Sequence, residues 1–442
     1  MALSQAVLKG LARDGGLFMP ERIPTLDISF IQSLRGMGLH EIATKVVSSF
    51  LSDDVPREEL HAMAVETLNF DIPLVEVEPG IFALELFHGP TMAFKDVGAR
   101  FMSRLMAYLH HRNRGGIMVS GSVTQGQASK NDLKELQPLK VVVATSGDTG
   151  SAVAAGFYDV DGIEVYVLFP KKKVSPLQQK QITTWGKNIH AIEVDGTFDD
   201  CQRLAKKVLN DELLNNQYLL TSANSINIAR LIPQAIYYFY AAAQLKDPGL
   251  PLVFSVPSGN FGNLTAGILA SAMGLPVKQF IAATNINDVV PEYASQGLYR
   301  PRPSLQTISN AMDVGDPSNF ARMMELFDHD HHTFCNAIYT CAFTDEQTLE
   351  TIKQTYQQTG YMMDPHGAVA YMGAKQYLSA HAHPTNMVFL ETAHPAKFLE
   401  SIEGVVGEIP LPPQLQLVKD KKEHFVSIPN DLQALKEEIS GS

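Results

Sequence analysis

Short β-rich runs alternate with longer helical patterns through the middle of the chain, and this alternation restricts the fold more than any other feature. Strands are expected at Lys140–Thr145, Glu164–Phe169, Ile189–Val194, Tyr218–Thr221, Leu252–Val256, Phe280–Thr284 and Met387–Leu390. Several are apolar throughout, with no in–out alternation, as in central strands covered by helices on both faces. Helical patterns fall between them, at Gly98–Arg112, Ser151–Tyr158, Leu177–Thr184, Phe198–Asn210, Ile228–Leu245 and Asn263–Met273. Strand and helix in repeated succession imply an α/β architecture with mostly parallel sheets. The first 75 residues read as mainly helical, with Pro20 and Pro24 punctuating a loop. At 442 residues the chain has room for two or three domains and a large core.

Charge narrows the partners. The net charge of −12 argues against nucleic acid or an anionic membrane as the main partner. An anionic substrate must therefore be drawn in by a local cationic pocket. Three cysteines, Cys201, Cys335 and Cys341, with no paired spacing, fit a reducing cytoplasm. No secretory signal is expected, because Met1-Ala-Leu-Ser-Gln-Ala-Val has no basic n-region followed by a long apolar run, and no transmembrane helix is expected, because no apolar run approaches roughly 18 residues.

Four segments carry chemistry. In His88-Gly-Pro-Thr-Met-Ala-Phe-Lys95-Asp96, the lysine has mostly apolar neighbours. A desolvated lysine loses its proton more easily and becomes a nucleophile able to form a Schiff base with an aldehyde. A surface lysine paired with Asp96 is the plain alternative. The run Pro257-Ser258-Gly259-Asn260-Phe261-Gly262-Asn263 follows a strand and opens a helix. Its glycines let backbone N–H groups approach a phosphate, and the helix N-terminus favours the dianion. No Lys-Ser/Thr pair follows the second glycine, so it is not an ATP P-loop. Thr145-Ser146-Gly147-Asp148-Thr149-Gly150 likewise joins a strand to a helix, and its N–H groups and hydroxyls suit a carboxylate; alone it would read as an N-cap cluster. Thr392, in Glu391-Thr-Ala-His-Pro-Ala-Lys397, follows another strand.

These segments, in this order, resemble the threonine synthase family, pyridoxal-phosphate enzymes of the tryptophan-synthase-β (type II) fold. Asp14-Gly-Gly-Leu-Phe-Met-Pro20, Ser175-Pro-Leu-Gln178, Asn224-Ser-Ile-Asn-Ile-Ala-Arg230, Asn310-Ala-Met-Asp313 and Pro365-His-Gly-Ala-Val-Ala-Tyr371 extend the resemblance over most of the chain. It implies that Lys95 holds pyridoxal 5'-phosphate and then serves as general base and acid. It implies that Ser258, Gly259, Asn260, Phe261, Gly262 and Asn263 cradle the cofactor phosphate. It places Thr392 against the pyridine nitrogen, where a neutral hydroxyl makes a milder electron sink than a carboxylate. Asp148 would lie near the cofactor O3′. Thr145, Ser146, Gly147 and Thr149 would bind substrate, with Thr149 near its phosphate. Lys180, Asn227 and Arg230 are the further candidates for that phosphate, arginine being suited to bidentate recognition. The implied reaction turns O-phospho-L-homoserine and water into L-threonine and phosphate, in a cytoplasmic monomer or small homo-oligomer.

The resemblance also divides the chain. Residues 1–75 form a mainly helical N-terminal region, 98–230 a smaller α/β domain, and 76–97 with 231–442 a large cofactor-binding α/β domain. The cofactor would sit in the cleft between the two α/β domains, a usual place for a ligand. Arg114–Gln137, rich in Gly, Ser, Gln and Lys, reads as an inserted surface loop. Asp328-His-Asp-His-His332 invites a metal reading with Cys335, but its crowded spacing reads as a solvated loop, and no metal is expected. Lys171-Lys-Lys173 reads as a solvated cluster and Trp185 as core. Two other functions fit parts of the pattern. One is a related pyridoxal-phosphate dehydratase or phospho-lyase for a smaller amino acid. The other is a catalytically dead metabolite-binding protein, against which the presence of both Lys95 and Thr392 argues.

Overall fold

Two sheets of mainly parallel strands carry the molecule, as the alternation implies. The computed structural model describes residues 1–12, 14–119, 137–381 and 383–441, and for 113–119 the backbone alone. Among these residues there are eleven strands: β1 Leu74–Glu78, β2 Ile81–Glu85, β3 Leu139–Ala144, β4 Ile163–Pro170, β5 Ile189–Asp195, β6 Leu219–Ser222, β7 Leu252–Pro257, β8 Gln279–Thr284, β9 Ile338–Ala342, β10 Asn386–Glu391 and β11 Val426–Pro429. The large sheet runs β1-β2-β10-β7-β8-β9 and the small one β11-β5-β4-β3-β6. Only the β1–β2 hairpin is antiparallel. β3, β7 and β10, interior strands of their sheets, are buried at every position, which is why their sequences do not alternate.

Parallel pairing puts the carboxyl ends of neighbouring strands at one edge. In the large sheet Glu391 of β10 lies beside Glu85 of β2, and Phe389 beside Ser255 of β7. The segments after β2, β7 and β10 therefore leave the sheet together. They are the segments that carry Lys95, Gly259 and Thr392. This edge, facing the end of β3 in the small sheet, is where ligands bind in open α/β folds.

Helix boundaries follow local chemistry. The pattern at 228–245 breaks at Pro233 into a helix at Ile228–Leu231, a 3-10 turn at Ile232–Gln234 and a helix at Ala235–Gln244. The N-terminal region is helical as expected, with helices at Leu3–Lys9, Ile28–Ser33, Leu39–Leu51 and Arg57–Thr67. It ends before residue 75, however, because β1 already starts at Leu74.

Two expectations need correction. The helix from Lys95 continues to Val119, so residues 114–119 are not loop. A helix already several turns long adds one hydrogen bond per residue, and Gly115 and Gly116, at about 1 kcal/mol each, do not stop it. Most of the remainder of the expected insertion, residues 120–136, lies outside the described residues. The large domain also does not extend unbroken to residue 442. β11 pairs in parallel with β5 of the small sheet, and the helix Leu432–Ser440 packs on Phe198–Leu209. Buried Leu435 and Ile439 join Cys201, Leu204 and Val208 in one apolar cluster. The C-terminal segment is thus a strap returning from the large sheet to the small one. Leu435→Ala should cost about 2–5 kcal/mol in chemical denaturation; a change within experimental error would show that the strap is not part of the core.

Candidate active site

Lys95 is placed by a turn that folds back on itself. Thr91 donates to the Asp96 carboxylate twice, from its backbone N at 2.9 Å and from Oγ1 at 2.7 Å. Asp96 is therefore the turn's own staple, and it is not the partner of Lys95. Met92 takes a left-handed conformation with φ 57°, a local cost of order 1 kcal/mol or more for a residue with a side chain. Beyond it the chain bridges the segment after β10: Ala93 pairs antiparallel with Ala393, and Phe94 N donates to Thr392 O at 2.9 Å. Lys95 and Thr392, almost 300 residues apart in sequence, thereby come to line one cleft.

The Lys95 ammonium meets the small domain through Asp148, 3.8 Å away. Asp148 opens the helix Asp148–Phe157 and is buried. One of its oxygens accepts from Lys397 Nζ at 2.5 Å and from Gln178 Nε2 at 2.9 Å. Burial pulls the Lys95 amine down to about 8, opposed by the charge of Asp148 and assisted by Lys397 and Arg230. Burial pushes Asp148 up, but the two lysines more than offset it and hold the carboxyl well below the usual range. The amine thus gains its neutral form as pH rises through about 8, against about 10.4 for a free lysine.

Turn chemistry fixes the anion-receptive walls. Thr145 Oγ1 accepts from Gly147 N at 2.9 Å and from Gly150 N at 2.7 Å, so it shapes the turn from beneath. Gly147 has φ 144°, and a Cβ there would lie 2.6 Å from the Gln178 side chain. Ser146 and Thr149 face the cleft. On the opposite wall, Gly259, Asn260, Phe261, Gly262 and Asn263 also line it, and Phe261 is left-handed with φ 59°. The helix they open, Gly262–Ala272, has no side-chain N-cap. Ser258 is buried, with its hydroxyl donated to Val256 O at 2.9 Å. Asn260 is clamped: its amide donates to Ser225 Oγ at 2.7 Å, and its carbonyl oxygen accepts from Asn319 at 3.0 Å.

Of the three residues proposed for a second phosphate, the structure brings only Arg230 to the cleft. Its Nη1 donates to Ala223 O at 2.7 Å, while among the described residues its buried Nε has no partner. Burial lowers the guanidinium to about 10. Lys180 points away and donates to Lys421 O at 2.9 Å, tying its helix to the C-terminal segment. Asn227 is consumed as the N-cap of Ile228–Leu231 and as a donor to Val7 O at 2.9 Å and Ser222 O at 3.0 Å. A matching segment fixes where the backbone goes, and these two side chains point elsewhere.

Sequence reasoning missed other contributors. Lys397 and Gln178 close around Asp148, and His366 and Asn310 line the cleft. Each ends or sits inside a segment already conspicuous in the sequence, which was the available signal. His366 accepts from Ala311 N at 3.2 Å through Nε2, while its Nδ1 faces the Asp364 carboxylate at 2.5 Å. The histidine-rich segment lies apart. His329 pairs with Glu325, Asp330 caps the helix His331–Ala337, and Trp185 is half-buried, donating to Gln181 O at 2.6 Å.

These residues fit a phosphorylated aldehyde cofactor. A lysine with a depressed pKa, an uncapped helix N-terminus behind glycines and a hydroxyl at Thr392 share one cleft. Fold and cleft define a pyridoxal-phosphate-dependent enzyme. The family model "Pyridoxal-phosphate dependent enzyme" matches residues 66–392, flanked by "Threonine synthase N terminus" over 1–68 and "Threonine synthase, C-terminal" over 367–439. The chain is 43% identical to the threonine synthase of Haemophilus influenzae over 96% of its own length and 94% of that protein. The crystal structure of the Escherichia coli threonine synthase superposes with a TM-score of 0.88 at 40% identity, covering 100% of this chain and 97% of that one. A pyridoxal-phosphate-bound threonine synthase from Brucella melitensis also gives 0.88, at 35% identity, covering 100% and 96%. The chain belongs to the threonine synthase family.

The two glycines of the cradle should differ. A Cβ on Gly259 would lie 2.6 Å from Ala311 O and from Met312 Cα, both backbone, whereas one on Gly262 finds its nearest atom at 3.4 Å. Gly259→Ala should weaken pyridoxal-phosphate affinity about tenfold or more, one charge-assisted hydrogen bond being worth roughly 1.5–3 kcal/mol. Gly262→Ala should change it only slightly. Equal affinities in the two variants, by fluorescence titration of the apoenzyme, would contradict this cradle.

Proposed function

We propose that the enzyme converts O-phospho-L-homoserine and water to L-threonine and phosphate, with Lys95 as cofactor anchor and proton carrier. The observation that carries the reading is the pairing of the buried Lys95 amine with two separate anion-receptive features in one cleft. These are the uncapped N-terminus of Gly262–Ala272 and the incompletely partnered guanidinium of Arg230. The reaction needs two phosphate positions, one for the cofactor and one for the substrate.

Bound pyridoxal phosphate supplies an aldehyde that takes up amines and a conjugated ring that disperses negative charge from the adjoining carbon. Gly259–Asn263 would hold its phosphate, and Thr392 would offer its ring a neutral hydroxyl. Asp148 stays ionised between two lysines and presents a negative charge to them from the end of β3. Ser146 and the backbone of 145–149 orient the substrate carboxylate. Arg230, helped by Thr149, holds the substrate phosphate and so sets Cα and Cβ against Lys95 Nζ. The Lys95 amine takes a proton from Cα and then one from Cβ. The γ-phosphate leaves with its C–O electron pair, water adds its oxygen at Cβ, and protons return to Cα and Cγ. Phosphate leaves readily and hydroxide does not, so the ester is required.

No helix among the described residues is long and apolar enough to cross a membrane. The three cysteines are free, which suits action in the cytoplasm. The reading takes the enzyme as a monomer or small homo-oligomer.

Coupled assay of phosphate release and threonine formation tests the reading. Lys95→Ala should abolish both. Arg230→Ala should lower kcat/KM about tenfold to a hundredfold, with cofactor content unchanged, for the loss of charge-assisted hydrogen bonds. Homoserine should be nearly inert. Conversion of homoserine as fast as its phosphate ester would refute the reaction, and normal turnover by Arg230→Ala would refute only that residue's role.

A further inference from the structure

Two lysines stand on one buried carboxylate, and the function proposed above uses only one of them. The Lys397 side chain is fully buried in the 3-10 turn Pro395–Lys397, just beyond Thr392. Its ammonium has two close acceptors, Asp148 Oδ1 at 2.5 Å and Thr91 O at 3.0 Å. Lys95 sees the same carboxylate only at 3.8 Å, beyond hydrogen-bond reach, and keeps 14% of its side chain exposed to the cleft. The Phe94 ring lies 4.7 Å from Lys95 Nζ, a cation–π contact that favours the charged form and so does not account for the lowered pKa.

We propose that Lys397 is a positioning residue that captures the Asp148 carboxylate, leaving Lys95 without a close anionic partner and free to act as the nucleophilic amine. The proposal rests on the reading of Lys95 as the nucleophile and adds the group that selects it. Burying two ammonium groups beside one carboxylate leaves an excess positive charge, and the interior relieves it by releasing a proton from the less satisfied amine. Lys397 is the amine with two close acceptors and no exposure. Lys95 is the less satisfied one, and its amine is pulled down to about 8.

Other charges facing Lys95 do not make this choice. Arg230, from the helix Ile228–Leu231, also disfavours its proton. Asp364, the N-cap of Pro365–Ala380, favours it, but its oxygens are taken by His366, Gly367 and Ala393. Asp96, on the helix of Lys95 itself, is held by Thr91. His366 lines the cleft with a ring engaged at both nitrogens. Lys397 is the group that both contacts Asp148 and bears the charge.

The sign follows directly. Without Lys397, Asp148 has Lys95 as its sole ion-pair partner among the described residues, and Lys95 holds its proton to higher pH. Competitive acetylation of the full-length apoenzyme across pH, with mass-spectrometric quantification of the peptide bearing Lys95, reads this without turnover. Wild type should show a midpoint near 8. Lys397→Met and Lys397→Gln should raise it by about one unit or more, cutting the free amine near neutrality about tenfold, and Lys397→Arg should restore it. Binding of pyridoxal phosphate to the two neutral variants should slow in proportion. A midpoint unchanged from wild type in either folded neutral variant would overturn the proposal. Loss of folding in both would overturn it as well, since Lys397 would then be structural. A wild-type midpoint near that of a free lysine would instead refute Lys95 as the nucleophile.

Discussion

The structure turns on a buried carboxylate held between two domains. Asp148 belongs to the small domain, at the end of β3, while Lys95 and Lys397 come from turns at the edge of the large sheet. An ion pair sealed from water costs desolvation that only good geometry recovers. Here the recovery comes from Lys397 and Gln178, which complete the shell of one oxygen. The Lys397 contact spans the cleft from the edge of the large sheet to the end of β3, while Gln178 supports Asp148 from its own side.

Around it, the chain devotes backbone to shape and side chains to charge. The left-handed residues Met92 and Phe261 stand in the two turns that flank the cleft, where strain is held by surrounding hydrogen bonds. Met92 O accepts from His394 N at 3.1 Å, and Phe261 O from Thr265 at 2.9 Å through its N and 2.7 Å through Oγ1. Arg322, fully buried, joins Phe18 O of the N-terminal region to Ser225 O and Ile226 O. Ser225 in turn positions Asn260. The N-terminal region and the C-terminal strap thus brace a site to which neither, among the described residues, contributes a lining residue.

Much of this was legible in the sequence. The seven apolar runs read as strands are all strands, because burial on both faces leaves an unambiguous signal. The strands that escaped notice sit at or next to sheet edges. β11 is exposed at three of its four positions, and β9 and β1 are only partly covered, so their sequences carry mixed polarity; β2 is buried at four of its five positions and escaped notice although its run is apolar. In the site, Lys95, Asp148, the 259–263 turn and Thr392 stand out because their chemistry depends on backbone turns that the local sequence dictates. Lys180 and Asn227 lie in equally conspicuous segments, but whether a side chain faces a cleft or caps a helix depends on packing that no local pattern encodes. Lys397 was hidden for the same reason. Its partner lies some 250 residues away and is found only once both sheets are assembled.

The account stands on which buried lysine meets the cofactor. Borohydride reduction of the loaded enzyme, followed by mass-spectrometric mapping of the pyridoxyl-modified peptide, decides it. Modification at Lys95 alone is the predicted result. Modification at Lys397, or at a lysine outside the cleft with Lys95 untouched, would contradict the account.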